Sequence, residues 1–268
     1  MIRLMLLASL ISVVFAGRAT AEAVDLQLVL AVDVSGSVDA DEARLQRHGY
    51  IQAITHPAVM AAIHSGFHKR IAVTYAEWAG DHYQETLADW TIVHDMESAK
   101  RFAAEIANQP IDTAQWTSIS GAIRFGMDLF ARSPHSSRRR VIDISGDGAN
   151  NHGIPILVQR ERAIRAGFVI NGLPIVNGKP SRFGKPQIAN LDKYYRDCVI
   201  GGTGAFIIVA NGFDDFARAI RRKMILEIAG RMPPQPALVP TLIPAQYRTT
   251  ERDCMDGERW LMQHFEDP

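Results

Sequence analysis

The chain is poor in cysteine: its 268 residues hold only Cys198 and Cys254. Two cysteines cannot build a disulfide-dense scaffold, they lie too far apart for a CxxC redox pair, and without neighbouring histidines they make a poor zinc site. There is no excess of charge either, with 29 basic and 29 acidic residues. Nothing in the net charge therefore argues for nucleic acid or an anionic membrane surface. No internal repeat is present. The apolar run Leu4 to Gly17 has 14 residues, short of the roughly 20 that a membrane-spanning helix needs. What remains is ordinary globular composition, 47% hydrophobic and 22% charged, with length for one large or two small domains.

That short apolar run reads as a targeting segment. Arg3 precedes it, and Ala19-Thr20-Ala21 matches the small-x-small pattern of a cleavage site. The expected division is a signal peptide over residues 1–21, one domain over 22–230, and a proline-rich tail over 231–268 (MPPQPALVPTLIP and beyond) lying on the domain. Cleavage near Ala21 implies a periplasmic or secreted protein. In an oxidising compartment Cys198 and Cys254 have one intramolecular pairing, a structural disulfide; two free buried thiols are the alternative.

The stretch that organises the rest is Leu26 to Ser37, LQLVLAVDVSGS. Its Val- and Leu-rich run reads as a strand buried on both faces, as in the centre of a parallel sheet. At the carboxyl end come Asp33, Ser35 and Ser37, with Gly36 allowing a sharp turn. Asp39 and Glu42 then have the spacing of a capping box. One carboxylate and two hydroxyls thus occupy a strand-to-helix loop, where ligands bind in open α/β sheets. Oxygen donors without sulfur or imidazole suit a hard cation such as Mg²⁺. Alone, Asp-x-Ser-x-Ser is more often an ordinary cap or turn.

Further on, the patterning predicts helices over 41–55 and 57–66, broken at Pro57, and a hairpin of strands 70–78 and 83–90. It also predicts helices over 97–108, 117–130 and 155–166, and strands over 140–145, 168–176 and 205–210. A short tyrosine-rich helix spans 190–198. A last helix follows Phe213, with Arg218, Arg221, Arg222 and Lys223 on a solvated face. Alternating strands and helices argue a mostly parallel sheet covered on both faces, with the hairpin adding one antiparallel edge strand. Two loops of that sheet carry matching atoms: Thr117 before a helix, and Asp147 after the strand ending at Ser145. With Asp33, Ser35 and Ser37 they offer at most five protein oxygens, leaving a coordination position for water or a ligand. Near them, His152 either hydrogen-bonds a ligand or, the blander reading, is a loop histidine facing solvent. Glu77 and Trp78 either line the same rim or simply pack there.

Asp33-x-Ser35-x-Ser37, Thr117-Ser-Ile-Ser-Gly-Ala-Ile and Ile144-Ser-Gly-Asp147-Gly, in that order, resemble the three loops of a von Willebrand factor type A domain with a metal-ion-dependent adhesion site. The likeness covers roughly Asp25 to Gly230 and looks like an exported bacterial branch of that family. One departure is Ser-Gly before Asp147, where the family often has threonine directly. The resemblance implies a doubly wound α/β fold and Mg²⁺ or Mn²⁺ held by Asp33, Ser35, Ser37, Thr117 and Asp147. It also implies a partner protein whose acidic residue completes the coordination. The resulting expectation is an adhesion-type binding module, not an enzyme. A metal-dependent phosphohydrolase with Asp33 as nucleophile is the enzymatic alternative, set back by serine at position 35 and no lysine after the loops. A structural subunit of an envelope complex is the other.

Overall fold

The computed structural model describes residues 21–178, 187–230 and 254–259. The expected leader up to Thr20, and residues 231–253 and 260–268 of the expected tail, lie outside the described residues. The chain begins with β1 (Glu22–Ala23) and β2 (Gln27–Asp33), then α1 (Ala40–Ile54), α2 (Pro57–His64), β3 (Ile71–Trp78) and β4 (Gln84–Val93). There follow α3 (Met96–Ala107), α4 (Ile119–Arg132), β5 (His135–Ser136), β6 (Arg140–Gly146), α5 (Ile156–Arg165) and β7 (Val169–Pro174). The last elements are α6 (Leu191–Tyr194), a π-helical turn over Tyr195–Val199, a 3₁₀ turn over Phe213–Asp215, and α7 (Phe216–Ala229). Among the described residues no helix is long and apolar enough to cross a membrane.

The main sheet runs β4-β3-β2-β6-β7, parallel throughout except for β4, which lies antiparallel on the edge. This is the α/β architecture that the sequence implies. Every residue of β2 is buried. Leu28, Leu30 and Val32 face one core with α1, α2, α3 and α7, while Val29 and Ala31 face the other with α4 and α5. Side chains alternate across a strand, so a centre covered on both faces has to read as one unbroken apolar run.

Chain direction reverses beside β2. From β2 the chain winds outward to β3 and β4, and later returns through β6 on the other side to β7. The crevice at the carboxyl ends of β2 and β6 is therefore the switch point, where loops diverge and leave room for a ligand. Helix α1 leaves it from a complete capping box: Asp39 accepts from the backbone of Asp41 and Glu42, and Glu42 returns a carboxylate to the Asp39 N–H. Such a cap stabilises by about 1 kcal/mol.

Three expectations need correction. The segment 205–210 is not a regular strand; it meets β7 only through isolated parallel bridges at Gly172–Ile207 and Ile175–Ala210. At its start the Asn171 side chain takes the Phe206 N–H, which diverts a backbone donor from the ladder. Lys223 is not on a solvated face; it is fully buried against Asp143 and Glu227. Thr117 does not open a helix, because Ser118 is the cap of α4 and Thr117 stays in the loop. The small β1–β5 pair has no signal in the sequence, since two-residue strands carry no periodicity to read.

Cys198 and Cys254 form a disulfide with their Cα atoms 5.6 Å apart. It anchors a helical turn at residues 256–259, whose Glu258 accepts from Asn150 Nδ2 at 2.7 Å. This part of the expected tail therefore packs on the domain, next to the loop that follows Asp147.

Candidate metal centre

The carboxyl ends of β2 and β6 bring Asp33 and Asp147 together, and the loop before α4 lays Thr117 across them. That loop is held by backbone pairing: Ser118 N donates to Ala79 O, and Ala114 N to Val34 O. Asn151 accepts from Thr117 N and returns its own N–H to Thr117 O. Asn150 accepts from Ser120 N at 2.9 Å, tying the helix start to the third loop. The carbonyls of Asp33 and Asp147 are fixed from behind by Gln46 Nε2 and Gln187 Nε2, each at 2.9 Å.

All five predicted residues lie in one connected cluster. Thr117 Oγ1 donates to Ser35 Oγ at 3.2 Å, Ser35 Oγ and Ser37 Oγ are 3.2 Å apart, and Ser37 Oγ donates to Asp147 Oδ1. Asp33 Oδ1 accepts from Ser35 N at 2.7 Å. Ser37 is half-buried and the other four are buried. Burial raises the Asp33 pKa well above the usual carboxylate range, and the Asp147 charge raises it further. Burial raises Asp147 to about 6, with Ser37 pulling it down and the Glu42 charge pushing it up. Two carboxylates thus share a buried pocket, and the charges that act on them among the described residues are acidic.

The residues fit a hard divalent cation. Two carboxylates and three hydroxyls converge, and Asp33 Oδ2 is buried without a hydrogen-bond partner. Among the described residues no group of three or more His, Cys, Asp or Glu is placed to hold a metal, so a zinc-type cluster has no counterpart. Gly146 explains the departure before Asp147. A Cβ there would stand 2.7 Å from both Asp33 Oδ2 and the Tyr195 hydroxyl, so only glycine lets β6 pass this close to the centre.

A family profile described as "Protein of unknown function (DUF1194)" matches residues 23–232. The chain belongs to the DUF1194 family. No curated protein sequence matches it. Solved structures place this DUF1194 chain in the von Willebrand factor type A-like fold. One is proximal thread matrix protein 1 of the mussel byssus, at TM-score 0.56 and 11% identity, over 78% of this chain and 49% of that one. Another structure of that protein, with a zinc-occupied MIDAS motif, gives 0.53 and 13% over 78% and 49%. The von Willebrand factor type A protein of Catenulispora acidiphila gives 0.50 and 12% over 77% and 43%. The DUF1194 chain spans about half the length of these proteins or less.

Several residues of the site carry no readable signal in the sequence. Tyr195 is buried with its hydroxyl unpartnered, and burial raises its pKa well above the usual tyrosine range, with the Asp33 and Asp147 charges adding to the rise. No local pattern marks it, since the π-helical turn brings it in from a distant part of the chain. Trp116 adopts a left-handed backbone, φ 67°, beside Thr117, and its ring stacks on His152. His152 is therefore not a free loop histidine: its Nδ1 accepts from Asp81 N at 2.9 Å, and the ring joins this rim. Glu77 does not line the centre; it is buried in an ion pair with Arg47. Asn150 and Asn151 carry a readable signal, the polar run directly after Asp147-Gly148.

Proposed function

We propose that this chain is an exported, divalent-cation-dependent protein-binding module of the adhesion type. One observation carries the reading: Asp33, Ser35, Ser37, Thr117 and Asp147, from three separate loops, form one buried oxygen cluster at the switch point of the sheet. In the proposal these five residues hold Mg²⁺ or Mn²⁺. The bound cation supplies a coordination position open to a carboxylate oxygen of a partner protein. Asp33 and Asp147 provide the negative charge, the three hydroxyls turn their lone pairs inward, and Gln46 and Gln187 keep both carboxylate-bearing loops in place. The Trp116–His152 pair at the rim gives an apolar and aromatic surface beside the carboxylate position. The byssus matrix protein among the structural neighbours supports an extracytoplasmic binding role.

No catalytic step is assigned to the site in this proposal, because both raised carboxylates are committed to the cation. A phosphatase assay with Mg²⁺ on a generic phosphomonoester is expected to give no turnover above the Asp33→Ala background. The binding test is capture from envelope extract by immobilised protein. Specific capture is expected to disappear in EDTA, return with Mg²⁺, and be lost in Thr117→Ala. Capture undiminished by EDTA sinks the proposal.

A further inference from the structure

On the opposite face of the sheet from α4 lies a cluster that the metal centre does not use. Lys223 and Glu227 sit one turn apart on the inner stripe of α7, and Asp143 and Asn171 face them from neighbouring register positions of β6 and β7. All four are buried. Lys223 Nζ contacts Asp143 Oδ1 and donates to Glu227 Oε1 at 2.6 Å, and Asn171 Nδ2 donates to the same Glu227 oxygen at 2.8 Å. Neither Asp143 oxygen meets a donor in hydrogen-bond geometry. The Phe206 ring lies 5.9 Å from Nζ, and Tyr50 closes the side toward α1, its hydroxyl on Ser145.

We propose that Lys223 and Asp143 condense spontaneously into an intramolecular amide bond between α7 and β6, with Glu227 as the proton carrier. The arrangement supplies what the condensation needs: an amine against a carboxyl group, an adjacent second carboxylate, and burial of all three side chains. Two carboxylates face the Lys223 ammonium, with the Arg139 guanidinium donating to the Glu227 carbonyl as the other nearby cation; burial and the second carboxylate favour protonation of one acid. Asp143 is that acid, its pKa raised to about 7 by burial and by the Glu227 charge.

The step balances without any co-reactant. Glu227 carboxylate takes a proton from the Lys223 ammonium, leaving a neutral amine beside the neutral Asp143 acid. Nζ adds to Asp143 Cγ, forming the N–C bond. Glu227 returns its proton to the departing hydroxyl as the C–O bond breaks, and takes the remaining surplus proton from nitrogen. One water leaves, the product is an amide, and Glu227 ends protonated. A cavity of about 420 Å³ lined by Asn171, Phe206, Glu227 and Arg139 gives the water a way out.

Mass spectrometry of the purified full chain, reduced and denatured, tests the bond directly. The wild type is expected to be lighter by one water than its sequence, with trypsin failing to cut after Lys223. The peptide carrying Asp143 should then be joined to the one carrying Lys223. Lys223→Arg keeps the charge but removes the nucleophile, and should show the full mass. Glu227→Gln should leave a larger unlinked fraction. Full wild-type mass with free cleavage after Lys223 overturns the proposal, and so does water loss persisting in Lys223→Arg or a link mapped to Glu227. Because the wild-type mass is read on unfolded material, a variant that fails to fold leaves the test intact.

Discussion

Without metal, Asp33→Asn is expected to melt as high as wild type or slightly higher, and excess Mg²⁺ or Mn²⁺ is expected to leave its melting temperature unchanged. The asparagine keeps an oxygen for the Ser35 N–H, which Asp33 Oδ1 now accepts at 2.7 Å. It removes a buried charge that burial and Asp147 both disfavour. In the proposed function a cation relieves that repulsion in the wild type and binds only the folded chain, because unfolding scatters the five ligands. At 100 times its dissociation constant it adds about 2.7 kcal/mol, a rise of roughly 5–10 °C for a domain of this size. A plain capping aspartate predicts otherwise: neither cation would move the wild-type melt, and Asp33→Ala, which removes the capping oxygen, would cost about 1 kcal/mol with or without metal. The pH dependence follows the same electrostatics. Asp33 and Asp147 have folded pKa values above their unfolded ones, so their contribution is fully present below the unfolded pKa and is lost as pH rises through the folded value, about 6 for Asp147. In EDTA, lowering the pH from neutral toward 5 should therefore raise the wild-type melt, and Asp33→Asn should flatten that rise.

The second large effect is expected at Arg47. Its guanidinium is buried, with Nη2 at 2.8 and 2.9 Å from the two Glu77 oxygens and Nε at 3.1 Å from one of them. Nη1 and Nη2 also donate to the carbonyls of Gln109 and Pro110. Burial raises the Glu77 pKa while Arg47 holds it down. Arg47→Ala leaves the buried Glu77 carboxylate with the Tyr75 hydroxyl as its remaining donor and no compensating charge, at a cost of about 3–5 kcal/mol. Replacing the pair together, Arg47→Met with Glu77→Leu, should recover more than half of that loss, because no uncompensated charge remains. Urea denaturation at unchanged m-value measures both. A single-variant loss under about 1 kcal/mol would show that the pair contributes little.

Residues whose chemistry is local were legible, and those whose role depends on distant packing were not. Strand β2 could be read because burial on both faces forces an apolar run ending on Asp33. The three loops could be grouped because parallel strands put their carboxyl ends on one edge. Lys223 could not be placed by residue type, since a lysine among arginines on a helix reads as solvated. Its position could have been found: with Phe216, Ile220 and Glu227 it falls on one helical stripe. The segment 205–210 reads as a strand by composition, yet the Asn171 side chain competes for its backbone. Tyr195 and Arg47 act through elements far away in sequence, and no periodicity reports such contacts.

In the proposed site five oxygens from three loops hold one divalent cation. Electron paramagnetic resonance during a Mn²⁺ titration of the chelator-stripped protein counts that ion directly. The account predicts one bound Mn²⁺ per chain, displaced by excess Mg²⁺ and absent in both Asp147→Ala and Thr117→Ala variants that retain the wild-type circular dichroism. A wild-type protein that leaves all Mn²⁺ free at millimolar concentration, or that binds it equally well in the Asp147→Ala variant, would contradict it.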